Sequence, residues 1–372
     1  MATIRDVARE AGVSIATVSR AFNQSSLVSQ ATCQQVREVA ARLDYWPNGT
    51  ARSLITNRTH ALGVLLPDLY GEFFSEVIRG IDLAARRERF QVLVSSSHAA
   101  TDTLVAAVRA MRGRIDGLIA LVPDAESARA VRDFTRAFPV VALDPGAEIP
   151  ECGSISIANF DGARAMVRHL IGLGHRVIAT VRGPEGNIDA EERLRGYRAA
   201  LAESRIELPA DFVLAGDFTE ASGHQAAAAI LALEPRPTAV FAANDCIAIG
   251  LMSALRDEGV RVPEDIAIGG FDDIAISRYL NPPLTTVHVD AHELGGRAVD
   301  QILPHTRTKK ALPIRHDMLS TTLVVRTSCG AALRRAVAGG RGNGAAAGRE
   351  PRSTGDSKRP QEEVKGGSAR SQ

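Results

Sequence analysis

The chain predicts an all-α N-terminal unit followed by an α/β body of two doubly wound parallel-sheet lobes, and three observations support this. Over residues 1–46 apolar side chains recur at i, i+3, i+4 and i+7, the period of short helices with one buried stripe. From Ala61 onward, short apolar runs alternate with helical stretches, the pattern of parallel strands joined by right-handed crossovers. After residue 330 the apolar period stops. At 372 residues the chain is longer than one hydrophobic core usually supports. The expected division is a helical unit over 1–46, a linker over 47–60, a two-lobed body over 61–330 and a disordered tail over 331–372.

The first helix starts at Thr3-Ile4-Arg5-Asp6, a capping box in which Asp stands in for Glu. Ile4, Val7, Ala8 and Ala11 form its apolar stripe. Gly12 ends it, since glycine tolerates the left-handed backbone of a tight turn. Ser14 caps the second helix, whose Val18, Ala21 and Phe22 face inward. A third follows Ser29, with Val36, Val39, Ala40 and Leu43 in register. Two short helices across a glycine turn are the geometry of a helix-turn-helix. Ala16 and Arg20, one helical turn apart, share an outward face with Ile15 at its edge. An arginine there can reach guanine O6 and N7, and the two apolar residues can touch thymine methyls. Thr17, Ser19 and Asn23 suit phosphate oxygens. The same spacing also fits the solvent face of other helical hairpins. Pro47 stops the third helix, and Asn48 can cap a further short one through Leu54; free in water, such a helix is largely unfolded.

In the body, strands are expected at Leu62–Leu66, Phe90–Val94, Gly117–Leu121, Val140–Leu143, Val177–Val181, Ala239–Ala242 and Ile266–Gly270. Intervening helices include Phe73–Arg89, Thr101–Arg112, Phe160–Leu173, Glu191–Ala202, Ala221–Leu233 and Ile247–Glu258. The lobes divide near Ser154–Ala158 and rejoin after Pro283. Ligands of open parallel sheets sit beyond the carboxyl ends of the strands. Polar residues stand at those ends: Asp144 after VVAL, Asn244 and Asp245 in FAAND, Asp272 and Asp273 in GGFDD, with Arg193 and Arg195 in EERLRGYRAAL and Phe73 and Phe74 opening a helix. Carboxylates, an amide and a guanidinium can bracket hydroxyl pairs, and an aromatic face can cover a sugar ring. Singly, each has a plainer role: an Asp after a strand often caps a helix, and paired Phe is usually core.

Taken together, TIRDVAREAGVSIATVSRAFN, VSQATCQQVREVAARLDYWPNGTARSL, RLRGYRAAL, AANDCIAIGLMSAL and IGGFDDIAISRYLNPPLTTV closely resemble the lactose-repressor (LacI/GalR) family of bacterial transcription regulators, over roughly residues 3–328. The resemblance implies a periplasmic-binding-protein-like body that binds a small sugar effector, and a homodimer on double-stranded palindromic operator DNA. By resemblance Ile15, Ala16 and Arg20 read bases. PNGTARSL becomes a hinge helix that orders on the operator, with Ala51 allowing close approach, Arg52 on phosphates and Leu54 wedged into the minor groove. Arg193, Asn244 and Asp272 become effector contacts, with Asp144 and Phe73 beside them. Two departures bear on effector specificity: Ala158-Asn159-Phe160-Asp161-Gly162 where the family commonly has Asp-Asn, and Tyr70-Gly71-Glu72 where many relatives have Ser-Asn-Pro.

Composition narrows the remaining classes. The chain is 45% hydrophobic and 23% charged with net charge +1, so no whole-molecule basic field marks a polyanion binder. Residues 1–60 carry seven arginines against four carboxylates, a local net of +3. Four cysteines with no CxxC spacing read as reduced thiols, and neither a signal peptide nor a membrane span is expected, which points to the cytoplasm. No phosphate loop, nucleophile elbow or metal-ligand spacing appears, so neither an enzyme nor a cofactor is expected. A transport-type sugar receptor shares the two-lobed body but has no use for the helical front. The tail, with nine basic and four acidic residues, has the composition of a disordered segment.

Overall fold

The computed structural model describes residues 2–22, 27–46, 58–98, 100–146, 149–308 and 313–331. Asn23, the hinge stretch with Ala51, Arg52 and Leu54, and the tail from residue 332 lie outside the described residues.

Three short helices form the N-terminal unit: α1 (Ile4–Glu10), α2 (Ile15–Phe22) and α3 (Gln30–Arg42). At the start of α1 the Asp6 carboxylate accepts both the Thr3 amide (3.0 Å) and the Thr3 hydroxyl (2.7 Å). Gly12 turns the chain at φ +65°, a conformation a Cβ would strain. The Ser14 hydroxyl accepts the Thr17 amide, and Ser29 does the same for Thr32. Val7, Val18, Ala21 and Val36 are fully buried, with Ala8, Val39 and Ala40 beside them and Ile4, Phe22 and Leu43 sealing the edge. Two long-range bonds tie α3 back to α1: Gln35 Nε2 to the Ala11 carbonyl, and Arg42 to Glu10.

The body begins with β1 (Ala61–Leu66), α4 (Glu72–Arg87), β2 (Gln91–Ser96), α5 (Thr101–Met111), β3 (Gly117–Leu121), α6 (Ala125–Phe134), β4 (Val140–Leu143) and β5 (Gly153–Ile157). The chain then crosses into a second lobe of α7 (Asn159–Gly172), β6 (Ile178–Val181), α8 (Ile188–Glu203), β7 (Val213–Leu214), α9 (Glu220–Ala232), β8 (Ala239–Ala242), α10 (Asp245–Asp257) and β9 (Ala267–Gly269). It returns through β10 (Thr286–His288), α11 (Ala291–Arg307), β11 (His316–Leu319) and β12 (Thr322–Val324). The first sheet runs β11-β5-β4-β3-β1-β2 and the second β7-β6-β8-β9, with every pairing parallel. In each sheet the strand order reverses beside the first strand, between β1 and β3 and between β6 and β8. Those two switch points put ligand-facing crevices at the carboxyl ends of the strands.

Strands β1, β3 and β4 are buried throughout, as expected for parallel strands covered on both faces. Helix pairs cross closely: a Cβ on Gly250 of α10 would lie 1.8 Å from the Glu220 carbonyl oxygen of α9. The predicted dividing stretch, Ser154–Ala158, is largely a strand of the first sheet, and the crossing follows its last residue. GSISI alternates serine with isoleucine, so it lacks the continuous apolar run by which its neighbours are recognised. The antiparallel β10-β12 pair, the polar edge strand β11 and helices α6 and α11 were also not expected. Gly295, Gly296 and Pro304 interrupt the helical signal of α11.

Where the chain enters the body, one carboxylate fixes its path. Asp116 accepts the Thr59 amide (2.7 Å), the Thr59 hydroxyl (2.8 Å) and the His60 amide (2.8 Å). Asp116→Ala removes the acceptor from three partly buried donors, and we expect a loss of about 2–3 kcal/mol, read as a shifted midpoint in urea unfolding. An unchanged midpoint would refute the clamp.

Candidate functional site

The outward face of α2 presents Ile15, Ala16 and Arg20, all exposed, on the side opposite buried Val18 and Ala21. Fixed by the Gly12 turn and the Ser14 cap, this face is a rigid projection of one guanidinium and two apolar side chains. Thr17 and Ser19 are half-buried. The Thr17 hydroxyl lies 2.9 Å from that of Ser14, so it helps cap the helix rather than standing free.

A second polar cluster gathers at the carboxyl ends of the strands. Arg193, on α8 after β6, is 3% exposed. Its Nε donates to Asn159 Oδ1 (2.8 Å), its Nη1 to the Ala243 carbonyl beyond β8 (2.7 Å), and its Nη2 lies 3.1 Å from Asp272 Oδ1. The guanidinium stacks 3.8 Å from the Phe271 ring centroid and 5.6 Å from that of Phe218. Asn159, at the start of α7, links this group to the first lobe: its Nδ2 donates to Asp144 Oδ2 (2.9 Å) and to Asp189 Oδ1 (3.1 Å). Arg193, Asp272 and Asp144 therefore belong to one network spanning both lobes.

Asn244 sits one residue from the Ala243 carbonyl but is occupied locally. Its Oδ1 caps the Ile247 amide, and its Nδ2 donates to the Phe218 carbonyl. Phe73 lies on α4, half-buried against the core and edge-to-face with Phe74 at 5.7 Å. Arg195 pairs with Glu192 and lies over Phe160 at the surface. Asp273 is held by Arg326 (2.6 Å) and His288 (3.1 Å).

Two residues absent from the sequence-based set, Asn159 and Asp189, join the cluster, and Asp245, already placed by the sequence at a strand end, lies beside Asp272. Asn159 bridges the lobes, and it falls in the departure ANFDG. Asp189, half-buried in the first turn of α8, follows the Asn187 cap, where an acidic residue looks like ordinary helix-end chemistry. Asp245 is wholly buried and accepts Ser277 Oγ (2.5 Å), Thr286 Oγ1 (2.5 Å) and the Ile274 amide (3.0 Å), tying α10 to the segment after β9.

Burial and mutual repulsion shape the charges. Loss of solvent pushes the Asp144 carboxyl well above its ordinary range, and the adjacent negative charge of Asp189 pushes it further. Burial raises Asp245 to about 7, helped by the charge of Asp272. Asp272 rises to about 6 through burial, with Arg193 opposing and Asp189 adding to the rise. Asp144 (φ +49°), Asp272 (φ +106°) and Asp273 (φ +56°) all hold left-handed backbone, costing about 1–3 kcal/mol each. Such strain gathers where side chains are aimed at a ligand. The arrangement offers carboxylate acceptors, one stacked guanidinium and aromatic faces at a seam between lobes. No group of histidines, cysteines and carboxylates that could hold a metal occurs among the described residues. No helix among them is long and apolar enough to cross a membrane.

Comparison with known proteins matches residues 3–48 to the family of bacterial regulatory proteins, lacI family, and residues 167–329 to a periplasmic binding protein-like domain. The HTH-type transcriptional repressor PurR of Vibrio cholerae serotype O1 (strain M66-2) is 34% identical over 312 residues, covering 83% of this chain and 93% of that protein. A lac repressor dimer bound to operator and the anti-inducer ONPF superposes with TM-score 0.77 at 33% identity, over 88% of this chain and 99% of that one. A complex of the transcriptional regulator CelR with cellobiose gives TM-score 0.67 at 30% identity, over 88% and 100%.

Proposed function

This chain belongs to the LacI family of bacterial regulatory proteins, and we propose that it is a cytoplasmic homodimeric repressor of carbohydrate-utilisation genes. In this reading it binds a palindromic operator and is switched by a sugar or sugar derivative in the cleft. The observation carrying the reading is the exposed Ile15-Ala16-Arg20 face, mounted on a three-helix core in the same chain as a two-lobed body with a polar seam. The lac repressor dimer on its operator and the CelR–cellobiose complex support the two halves of this proposal.

Arg20 reads a guanine edge, Ile15 and Ala16 contact thymine methyls, and Thr17, Ser19 and Asn23 lie along the phosphates. In the linker, Ala51, Arg52 and Leu54 form the hinge contact, with Leu54 as the minor-groove wedge. Around the effector stand Asp144, Arg193, Asn244 and Asp272, with Phe73 at the rim. Two lobes that share one network can couple occupancy to DNA affinity, provided the effector binds the two arrangements with different affinity.

Binding-site selection with Arg20→Ala tests the reading. One base pair in each half-site should lose its preference, a loss of about 1–3 kcal/mol of discrimination, while phosphate-driven affinity for random duplex stays. An unaltered selected sequence would remove Arg20 from the readout.

A further inference from the structure

Granting the operator-binding reading, we propose that Trp46 is a further DNA contact: its indole packs on the sugar–phosphate ridge between the groove read by α2 and the groove entered by the linker. Trp46 is the chain's single tryptophan and, at 81%, the most exposed of the large apolar side chains among the described residues. Exposure alone says little, since single apolar side chains are common on protein surfaces. The place of this one decides its partner. Local backbone turns it outward. Asp44, just past α3, holds left-handed backbone at φ +48°, and the amides of Asp44 and Tyr45 donate to the Ala41 and Ala40 carbonyls. After that reversal the two aromatics part. Tyr45 packs against the three-helix core, its ring 6.0 Å from that of Phe22 at the end of α2. Trp46 stays on the surface, its Nε1 donating to Asp44 Oδ1 (3.3 Å).

Two neighbours identify the surface. Through Tyr45 and Phe22, Trp46 adjoins the carboxyl end of α2, whose last turn carries Arg20. Along the chain it precedes Ala51 by five residues and Leu54 by eight, a reach of at most about 18 and 29 Å. A protein that reads the major groove with α2 and wedges Leu54 into the minor groove must cross the phosphate backbone dividing them. Trp46 stands at that crossing. An indole suits the ridge: its flat face covers deoxyribose carbons, and its N–H can leave Asp44 for a phosphate oxygen. Both contacts are blind to the base, so Trp46 adds affinity without adding sequence preference.

With one tryptophan in the chain, fluorescence excited beyond the tyrosine band reports Trp46 alone. The probe is the palindromic duplex that the full-length protein selects from a randomised pool, with binding followed in parallel by the anisotropy of a dye on the DNA. As the duplex saturates the protein, we expect acrylamide to lose most of its access to the ring. Trp46→Ala should weaken binding about tenfold while selecting the same sequence and melting at the same temperature, and Trp46→Phe should recover part of the loss. Single methylphosphonates placed along the duplex locate the contact: one position should weaken the parent but not Trp46→Ala. Unchanged acrylamide access at saturation, or parental affinity in Trp46→Ala, overturns the assignment and leaves the repressor reading intact. So does a changed selected sequence, which would put the ring on a base edge, or a methylphosphonate profile identical in the two proteins. If the parent prefers no duplex over random DNA, the inference fails together with the repressor reading.

Discussion

Replacing Arg193 with methionine should destabilise the body by about 3–5 kcal/mol at pH 8 and abolish its response to effector. The side chain is buried and does three things at once. It satisfies the Asn159 and Ala243 oxygens, stacks on Phe271, and offsets the charge of Asp272. Methionine keeps much of the volume and the contact with the ring, but leaves two acceptors and a buried carboxylate uncompensated. The charge part depends on pH, and its sign is fixed. Asp272 rises from 3.8 in the unfolded chain to about 6 in the fold, so its contribution to stability is fully present below 3.8 and is lost as pH climbs through about 6. Arg193 lowers that folded value, so removing the guanidinium moves the loss to higher pH and enlarges it. Urea unfolding of both proteins should therefore show a gap that is wider at pH 8 than at pH 5. The part that persists at pH 5 reports the two stranded acceptors. A gap of equal size at both pH values would mean that Asp272 does not depend on Arg193 for its charge.

Operator binding by the same variant separates a structural defect from a signalling one. If Arg193 acts in the cleft, the variant at pH 5 to 6, where it remains folded, keeps its operator affinity while sugars no longer change it. A variant that loses both together would place Arg193 in the scaffold alone.

What the sequence revealed, and what it hid, follows from the physics of each element. The headpiece was legible almost atom by atom because its caps, turn glycine and apolar stripes are local. Thr3, Gly12, Ser14 and Ser29 each act within four residues of their partners. Strands β3, β4 and β8 were legible because parallel strands covered on both faces are unbroken apolar runs. β5 and β11 were not: GSISI and HDML contain polar residues, and they become strands by pairing with distant partners, β5 with β4 and β11 with β5 across 162 residues, as Ser154 pairs with His316. The seam shows the same limit. Asp272 stood out as a carboxylate at a strand end, and Arg193 through the resemblance carried by its helix, RLRGYRAAL. Asn159 and Asp189 look in sequence like helix-start residues, and their second function exists only because the fold brings α7 and α8 to one place. Asn244, an effector contact by resemblance, also has a local role typical of a residue after a strand, capping the Ile247 amide and bracing the Phe218 carbonyl.

Asp245 gives the other large effect. Its carboxylate is fully buried and holds three donors from the return path of the chain: the Ile274 amide, the Ser277 hydroxyl and the Thr286 hydroxyl. Asp245→Ala strands all three and opens a void, and should cost about 3–5 kcal/mol. Asp245→Asn is the more instructive change, because the amide keeps the shape and the acceptor shared by the Ile274 amide and Ser277, while the Thr286 hydroxyl can turn to accept its N–H. The cost of the natural carboxylate itself varies with pH. Raised from 3.8 to about 7 on folding, Asp245 contributes stability that is present below 3.8 and is lost as pH rises through about 7. The asparagine variant has no such slope. Its melting temperature should lie furthest below the parent's near pH 5 and approach it by pH 8, where the parent bears a buried charge next to Asp272. A melting difference that stayed flat from pH 5 to pH 8 would show that Asp245 remains ionised throughout, its three donors alone being enough to stabilise the charge.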